Sequence, residues 1–254
     1  MHLKYWSSLL ILLISCTQKE QEQKSDQEDL NPTIANIIEA HGGLDQWENQ
    51  HTLSYELGNQ SHTIDLKSRE VKITTSEFSM GNDDGTVWIK DPNENYEGSP
   101  TFYHSLMFYF YAMPFVFADD GIIYESMPEK EIKGKTYGAM KISYEEGVGD
   151  SPEDEYIVYY DPQSHKMEWL AYTVTFQSQE ESDDFHLIHY QKWDTFNGLQ
   201  LPVELQWYEY ENNEAGEPQG EPRTFTNIKV TEEDMDDEFY AMPEGAKVDS
   251  ASVN

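Results

Sequence analysis

Apolar residues spaced two apart, in short runs separated by turn-forming residues, dominate the chain from Thr52 onward and point to an antiparallel sheet. Leu170, Tyr172, Val174 and Phe176 alternate with Ala171, Thr173 and Thr175, and Met140, Ile142 and Tyr144 alternate with Lys141 and Ser143. Successive side chains on a strand point to opposite faces, so each run predicts one buried and one wet face. Over residues 185–193 both faces are apolar: Phe185, Leu187 and Trp193 fall on one, Ile188 and Tyr190 on the other. That pattern predicts a strand covered on both sides. Turn signals stand between the runs at Asn82-Asp83-Asp84-Gly85, Asp91-Pro92, Asp161-Pro162, Asn197-Gly198 and across residues 216–222. With no helical periods between most of these runs, the sheet is expected to be a meander.

Two segments depart from this pattern. Asn31-Pro32 reads as a helix N-cap followed by proline at the first helical position. Ile34, Ile37, Ile38 and His41 then share one face, Gly42-Gly43 ends the helix, and a short turn holds Leu44 and Trp47. Residues 101–118 carry no charged side chain and are crowded with aromatics, among them Phe102, Phe108, Phe110 and Phe115. Pro114 and His104 argue against a membrane span there. Two readings fit: a core helix packed on the sheet, or an aromatic plug over an apolar cavity. In the second case Phe108, Tyr111, Phe115, Leu170, Tyr172, Val174 and Phe176 are the candidate lining residues.

The N-terminus carries an address. Lys4 precedes the apolar run Leu9-Leu10-Ile11-Leu12-Leu13-Ile14, which is short for a spanning helix and has the form of a secretory signal core. Leu13-Ile14-Ser15-Cys16 resembles a bacterial lipobox, which implies cleavage after residue 15 and lipid attachment at Cys16. One acyl chain holds a protein weakly at about 0.8 kcal/mol per buried methylene, whereas several hold it stably. Cys16 is the only cysteine, so the rest of the chain has no thiol for a disulfide, a nucleophile or a zinc site. Residues 16–31 are polar and poor in apolar groups, which predicts a flexible tether, and residues 32–254 then form a single antiparallel domain. Gln18-Lys19-Glu20-Gln21-Glu22 resembles an export tag for the outer face of the outer membrane. Any polar tether would also contain such a run, so the periplasmic and the cell-surface face both stay open.

Several hairpins resemble those of the LolA, LolB and LppX lipoprotein-carrier group. Gly85-Thr86-Val87-Trp88-Ile89-Lys90-Asp91-Pro92 is similar to a Gly-x-x-Trp-x-Tyr-Asp-Pro hairpin of that group, with Lys90 in place of the aromatic. Tyr159-Tyr160-Asp161-Pro162 followed by Met167-Glu168-Trp169 resembles a later one, and Gly198-Leu199-Gln200-Leu201-Pro202 a common strand entry. Ala40-His41-Gly42-Gly43, Pro114-Phe115-Val116-Phe117-Ala118-Asp119 and Gly147-Val148-Gly149-Asp150-Ser151-Pro152 resemble elements of uncharacterised bacterial outer-membrane lipoproteins. The resemblance implies a mainly β fold: a curved antiparallel sheet, or half-barrel, with an N-terminal helix and an inserted aromatic-rich helix. It also implies a membrane-anchored lipoprotein that binds a lipid or acyl chain without catalysis.

Charge narrows the function classes further. The chain has 16 Lys+Arg against 49 Asp+Glu, a formal charge of −33. Nucleic acid is a poor partner, since binding there depends on neutralising phosphates. No Gly-x-Ser-x-Gly, His-Glu-x-x-His or phosphate-cradling loop is present, which argues against an enzyme. Asp150, Glu153, Asp154 and Glu155 around Pro152 form a candidate Ca²⁺ site, although acidic runs are more often solvated faces. No other cofactor is expected. The alternative to a lipid-binding module is a surface interaction protein with a filled core, and a hydrolase with dispersed carboxylates ranks below both. Self-repulsion at this charge predicts that melting temperature rises with added salt. Calorimetry at 20 mM and 500 mM NaCl tests this, and identical curves would contradict it.

Overall fold

Asn31 starts the folded chain as its sequence predicts. The Asn31 side chain accepts a hydrogen bond from the Thr33 amide at 2.9 Å, and Pro32 opens helix α1, Pro32–Ala40. Ile34, Ile37 and Ile38 are buried along one face. Gly42 and Gly43, at φ +117° and +89°, end the helix, and α2, Leu44–Glu48, turns Trp47 inward. The computed structural model of the protein describes residues 30–145, 151–236 and 238–249. The expected signal segment, Cys16 and most of the tether therefore lie outside the described residues, as do Gly147-Val148-Gly149-Asp150.

Two meanders follow, separated by a helical insertion. The first comprises β1 (Thr52–Leu57), β2 (Gln60–Asp65), β3 (Val71–Thr74), β4 (Ser79–Asp83) and β5 (Thr86–Lys90). The second comprises β6 (Ile122–Ile132), β7 (Lys135–Tyr144), β8 (Tyr156–Tyr160), β9 (Met167–Tyr172), β10 (His186–Phe196), β11 (Leu199–Glu211) and β12 (Glu214–Thr231). A two-residue strand β13, Lys247–Val248, pairs with β5. All pair antiparallel in one curved, unclosed sheet of order β13-β5-β4-β3-β2-β1-β12-β11-β10-β9-β8-β7-β6. Residues Asn31–Asn254 cluster as one unit. No helix among the described residues is long and apolar enough to cross a membrane.

Hairpin chemistry sets the registers. Asp84-Gly85 and Asn197-Gly198 sit at positive φ as two-residue loops between paired strands, the geometry that matches strand twist. The expected turn at residues 216–222 is corrected. The chain turns instead at Asn212-Asn213, both at positive φ, and β12 continues through the Gly/Pro stretch. Between Leu205 and Trp207 the β12 partner jumps from Arg223 to Gln219, so the extra residues are absorbed as a bulge around Gly220. Strand β1 ends at Leu57, opposite Phe225, so Pro218 and Pro222 lie where β12 pairs with β11 alone and their missing N–H groups cost no second ladder.

Three further expectations change in the same way. Strand β9 stops at Tyr172 because Asp154 captures the next residues: its Oδ1 accepts from the Thr175 amide at 2.6 Å and the Thr175 hydroxyl at 2.7 Å. Thr173 and Thr175 consequently point inward, and Val174 is 41% exposed. On β10 the register shifts on either side of Lys192, which brings Trp193 to the face of Tyr190, their rings stacked at 5.3 Å. The single aromatic helix expected over residues 101–118 is three short pieces: α3 (Pro100–Tyr103), α4 (Leu106–Ala112) and a 3-10 turn (Phe115–Ala118), with a cis Met113-Pro114 bond before the turn.

This insertion packs on one face of the sheet. Tyr111 stacks on Tyr55 at 4.6 Å and meets the Phe225 ring at 4.7 Å, Phe115 stacks on Trp47 at 4.6 Å, and the Tyr190 hydroxyl donates to the Phe110 carbonyl at 2.7 Å. Each fully buried ring of this kind contributes about 1.5–3 kcal/mol. The other face of the second meander carries its own core, centred on Tyr137, Tyr159, Trp169 and Leu187. Over it the β6–β7 and β11–β12 hairpin tips meet, with Lys130 bonded to Glu214 at 2.8 Å and the Lys133 ammonium donating to the Gly216 carbonyl at 2.6 Å.

Candidate functional site

Phe102, Leu106 and Phe110 follow one another at four-residue spacing along α3 and α4, so they form one apolar strip. The strip faces a cleft of about 1110 Å³. Opposite it stand Tyr172 and Val174 at the end of β9, His186 at the start of β10, and Trp207 on β11. Residues 57–60 at the β1–β2 turn and 219–224 on β12 form the remaining walls. The bulge in β12 lies within the second of these walls.

The apolar floor is held rigidly. Phe110 lies 4.7 Å from the Tyr172 ring and 6.0 Å from Trp207, while the Trp207 indole N–H donates to the Tyr172 hydroxyl at 2.8 Å. The polar rim is also organised. The Tyr103 hydroxyl donates to Gln60 Oε1 at 2.7 Å, and His62 Nε2 meets the same oxygen at 2.9 Å. His62 is 1% exposed and its pKa is lowered to about 4 by burial, so near neutrality it is an uncharged donor to Gln60. With its oxygen taken twice, Gln60 is left with its amide N–H₂ group, which has no partner among the described residues. The Tyr103 hydroxyl is pushed up by burial, against pulls from the Gln60 hydrogen bond and the nearby Arg223 charge.

Two smaller hollows adjoin. One, of about 240 Å³, lies across the Phe102–Leu106–Phe110 strip and is bounded by Tyr109, Tyr144, Tyr156 and Phe176. Phe102 and Phe176 touch at 5.2 Å beside it. Asp119 and Asp154 also border it, and burial raises the pKa of both carboxyls. The other, also about 240 Å³, lies beside Trp47 and Phe115, where Arg69 bonds to Asp119 at 2.7 Å and its guanidinium lies 5.1 Å from the Phe108 ring centre.

The residues singled out in the sequence are distributed over these features. Tyr172 and Val174 line the large cleft, Phe176 the hollow across the strip, and Phe115 the one beside Trp47. Phe108, Tyr111 and Leu170 are at most 2% exposed and belong to the packed core. Trp207, Met107 and the two polar walls were missed. Of these parts, the strip alone has a signal in the sequence: the four-residue spacing of Phe102, Leu106 and Phe110.

In the acidic loop, Glu155 pairs with Lys141 at 2.6 Å, Asp154 is engaged by Thr175, Glu153 is half-buried, and Asp150 lies outside the described residues. No group of three or more His, Cys, Asp or Glu side chains placed to hold a metal occurs among the described residues. His186 and His189 take opposite faces of β10, packing on Tyr172 at 5.3 Å and Trp169 at 4.0 Å respectively.

Comparison with known proteins matches residues 96–199 to a family of unknown function, DUF6503. No curated protein matches the chain. Among solved structures the chain is similar to a DUF1329 family protein from Desulfovibrio piger, at TM-score 0.45 and 11% identity over 83% of this chain and 98% of that one. It is similar to a LolA superfamily protein from Nitrosomonas europaea, at TM-score 0.47 and 8% identity over 81% and 96% of the two chains. It is also similar to the lipoprotein LppX of Mycobacterium tuberculosis, at TM-score 0.26 and 9% identity over 56% and 88%. The last two belong to the group that the hairpin motifs resemble.

Proposed function

We propose that the chain is a non-catalytic binding module that holds an apolar chain, such as an acyl tail, in the cleft beside α3 and α4. The observation that carries this reading is the cleft's size together with its floor. About 1110 Å³ is slightly above the usual range of small-molecule sites, and its floor is a strip of aromatic and aliphatic side chains with few polar groups. Each methylene transferred from water to such a surface contributes about 0.8 kcal/mol, so a chain of ten or more outweighs the cost of immobilising it. The lipobox-like Cys16 complements this: a lipid there tethers the cleft at a membrane, and the outer membrane is the location that the sequence resemblance favours.

Trp207 gives a direct test. Protein carrying Cys16→Ser, so that its own lipid is absent, is delipidated and titrated with a fatty acid brominated along its chain. Saturable quenching of tryptophan fluorescence is expected, with most of it lost in Trp207→Phe. Leu106→Trp, which fills the cleft from the strip side, should weaken binding at least tenfold with an unchanged circular dichroism spectrum. Absence of any quenching or lipid adduct would leave the filled-core interaction protein as the better reading.

A further inference from the structure

The cleft has a polar end. Arg223 stands on the β12 wall directly after the bulge, opposite Leu205 in register, and is exposed to solvent. The chain has 16 Lys+Arg against 49 Asp+Glu, so cations are scarce in it. Arg69, Lys130, Lys135, Lys141, Lys192 and Lys247 each have a carboxylate partner. Arg223 has none among the described residues, as is also true of Lys67, Lys72, Lys90, Lys133, Lys166 and Lys229, but of these Arg223 is the one that lines the cleft. Gln60, whose side-chain oxygen is already occupied, and Asn59 at the β1–β2 turn line the same cleft and carry amide donors. Glu221, on the same wall, is the one carboxylate lining the cleft. A guanidinium and amide donors lining one cleft fit an oxyanion, because the planar fork of the guanidinium donates two parallel hydrogen bonds to a carboxylate or phosphate.

We propose that the cleft selects an amphiphile with an anionic head and an apolar tail, the head held by Arg223 and Gln60 and the tail lying along Phe102, Leu106 and Phe110. This inference rests on the apolar-chain reading above and adds the class of head group. Glu221 sets the limit on charge, since it repels an anion and would favour a cationic head if it dominated. The Gln60 amide N–H₂ group, left over once its oxygen is occupied, tips the balance towards Arg223.

Titration calorimetry with the full chain carrying Cys16→Ser separates the two claims. The probes are decanoate, decyl phosphate, decanol and decyltrimethylammonium, all below their micelle concentrations, with acetate and inorganic phosphate as heads without tails. Decanoate and decyl phosphate are expected to bind at least tenfold more tightly than decanol or the cationic amphiphile, and the tail-less anions not to compete at millimolar concentration. Arg223→Gln should reduce decanoate to the affinity of decanol, leaving decanol unchanged, and Glu221→Gln should strengthen decanoate. Equal affinities for acid and alcohol, or a preference that survives Arg223→Gln, would overturn the head-group inference while the apolar-chain reading stands. Competition by the tail-less anions as strong as decanoate would overturn it in favour of a plain anion site. If none of the four amphiphiles binds, the apolar-chain reading itself fails.

Discussion

Between pH 6.5 and pH 5 the folded chain is expected to lose several kcal/mol of stability, because two histidines are buried without charge. His41 and His62 are 0% and 1% exposed, and each has its pKa lowered to about 4, chiefly by burial. In His41 the hydrogen bond from Nδ1 to the Ile37 carbonyl, at 2.8 Å, works against that shift, and the charge of Lys166 adds to it. The sign follows from linkage. Above about 6.5 neither state binds these protons, and the stability associated with the neutral rings is fully present. Below it the unfolded rings become protonated while the folded ones do not, so stability falls until the pH reaches the folded value near 4. Each proton taken up on unfolding is worth about 1.4 kcal/mol per pH unit, which makes the loss by pH 5 about 2 kcal/mol per histidine. Asp119 and Asp154, whose pKa values are raised by burial, act in the opposite direction but only as the pH nears the carboxylate range. Urea unfolding at half-unit pH intervals measures the slope. His62→Gln, which keeps a hydrogen-bonding side chain opposite Gln60, should remove about half of it. A stability flat from pH 7 to pH 5 would contradict the neutral-histidine assignment.

Gly42→Ala is expected to destabilise the fold by about 2–5 kcal/mol, a cost that combines backbone strain with overpacking. Gly42 sits at φ +117°, and a Cβ placed there would lie 2.6 Å from the Gly198 carbonyl oxygen and 2.9 Å from Leu199 Cα. Both obstacles are backbone, so neither moves aside cheaply. This contact is where α1 docks onto the β10–β11 turn: the Gln200 amide donates to the His41 carbonyl at 2.7 Å, and Asn197 Nδ2 donates to Gln50 Oε1 at 2.8 Å. The control is Gly85→Ala. Gly85 also has positive φ, +79°, but nothing lies within 4 Å of the added methyl, so its cost should be about 1 kcal/mol. Chemical denaturation of both variants tests the difference, and a Gly42→Ala cost no larger than that of Gly85→Ala would show that the docking contact has slack.

Where a local rule acts alone, the sequence is a sufficient guide. Asn31-Pro32 caps a helix, and Asn197-Gly198 makes a two-residue hairpin, because the conformations those residues favour need no help from tertiary contacts. The antiparallel meander was legible for the same reason. Expectations changed where a side chain from elsewhere competed. Asp154 takes the Thr175 amide out of reach of β9, a long-range capture that alternation cannot reveal. The shift at Lys192 reverses the facing of Trp193, and one added residue is enough to do so in a period of two. The stretch 216–222 has the composition of a turn, yet it runs as strand because β1 is too short to reach it. Arg223 stands directly after that bulge on the cleft wall. The apolar half of the site thus shows in the spacing of Phe102, Leu106 and Phe110, while the polar half depends on a register that only the folded sheet defines.

Strand β12 is also the seam of the molecule. Its last residues pair with β1, Val230 opposite Leu53, whereas its earlier ones pair with β11 alone. Either meander can zip from neighbours close in sequence, but this ladder joins positions near the two ends of the folded region. Bringing such remote positions together is entropically slow, and all-β chains rich in these pairings fold over roughly milliseconds to seconds. During synthesis β1 pairs with β2 early but must wait for nearly the whole polypeptide before its second neighbour, β12, exists. Until then its other edge presents an open row of amides and carbonyls, a template for pairing with a second molecule.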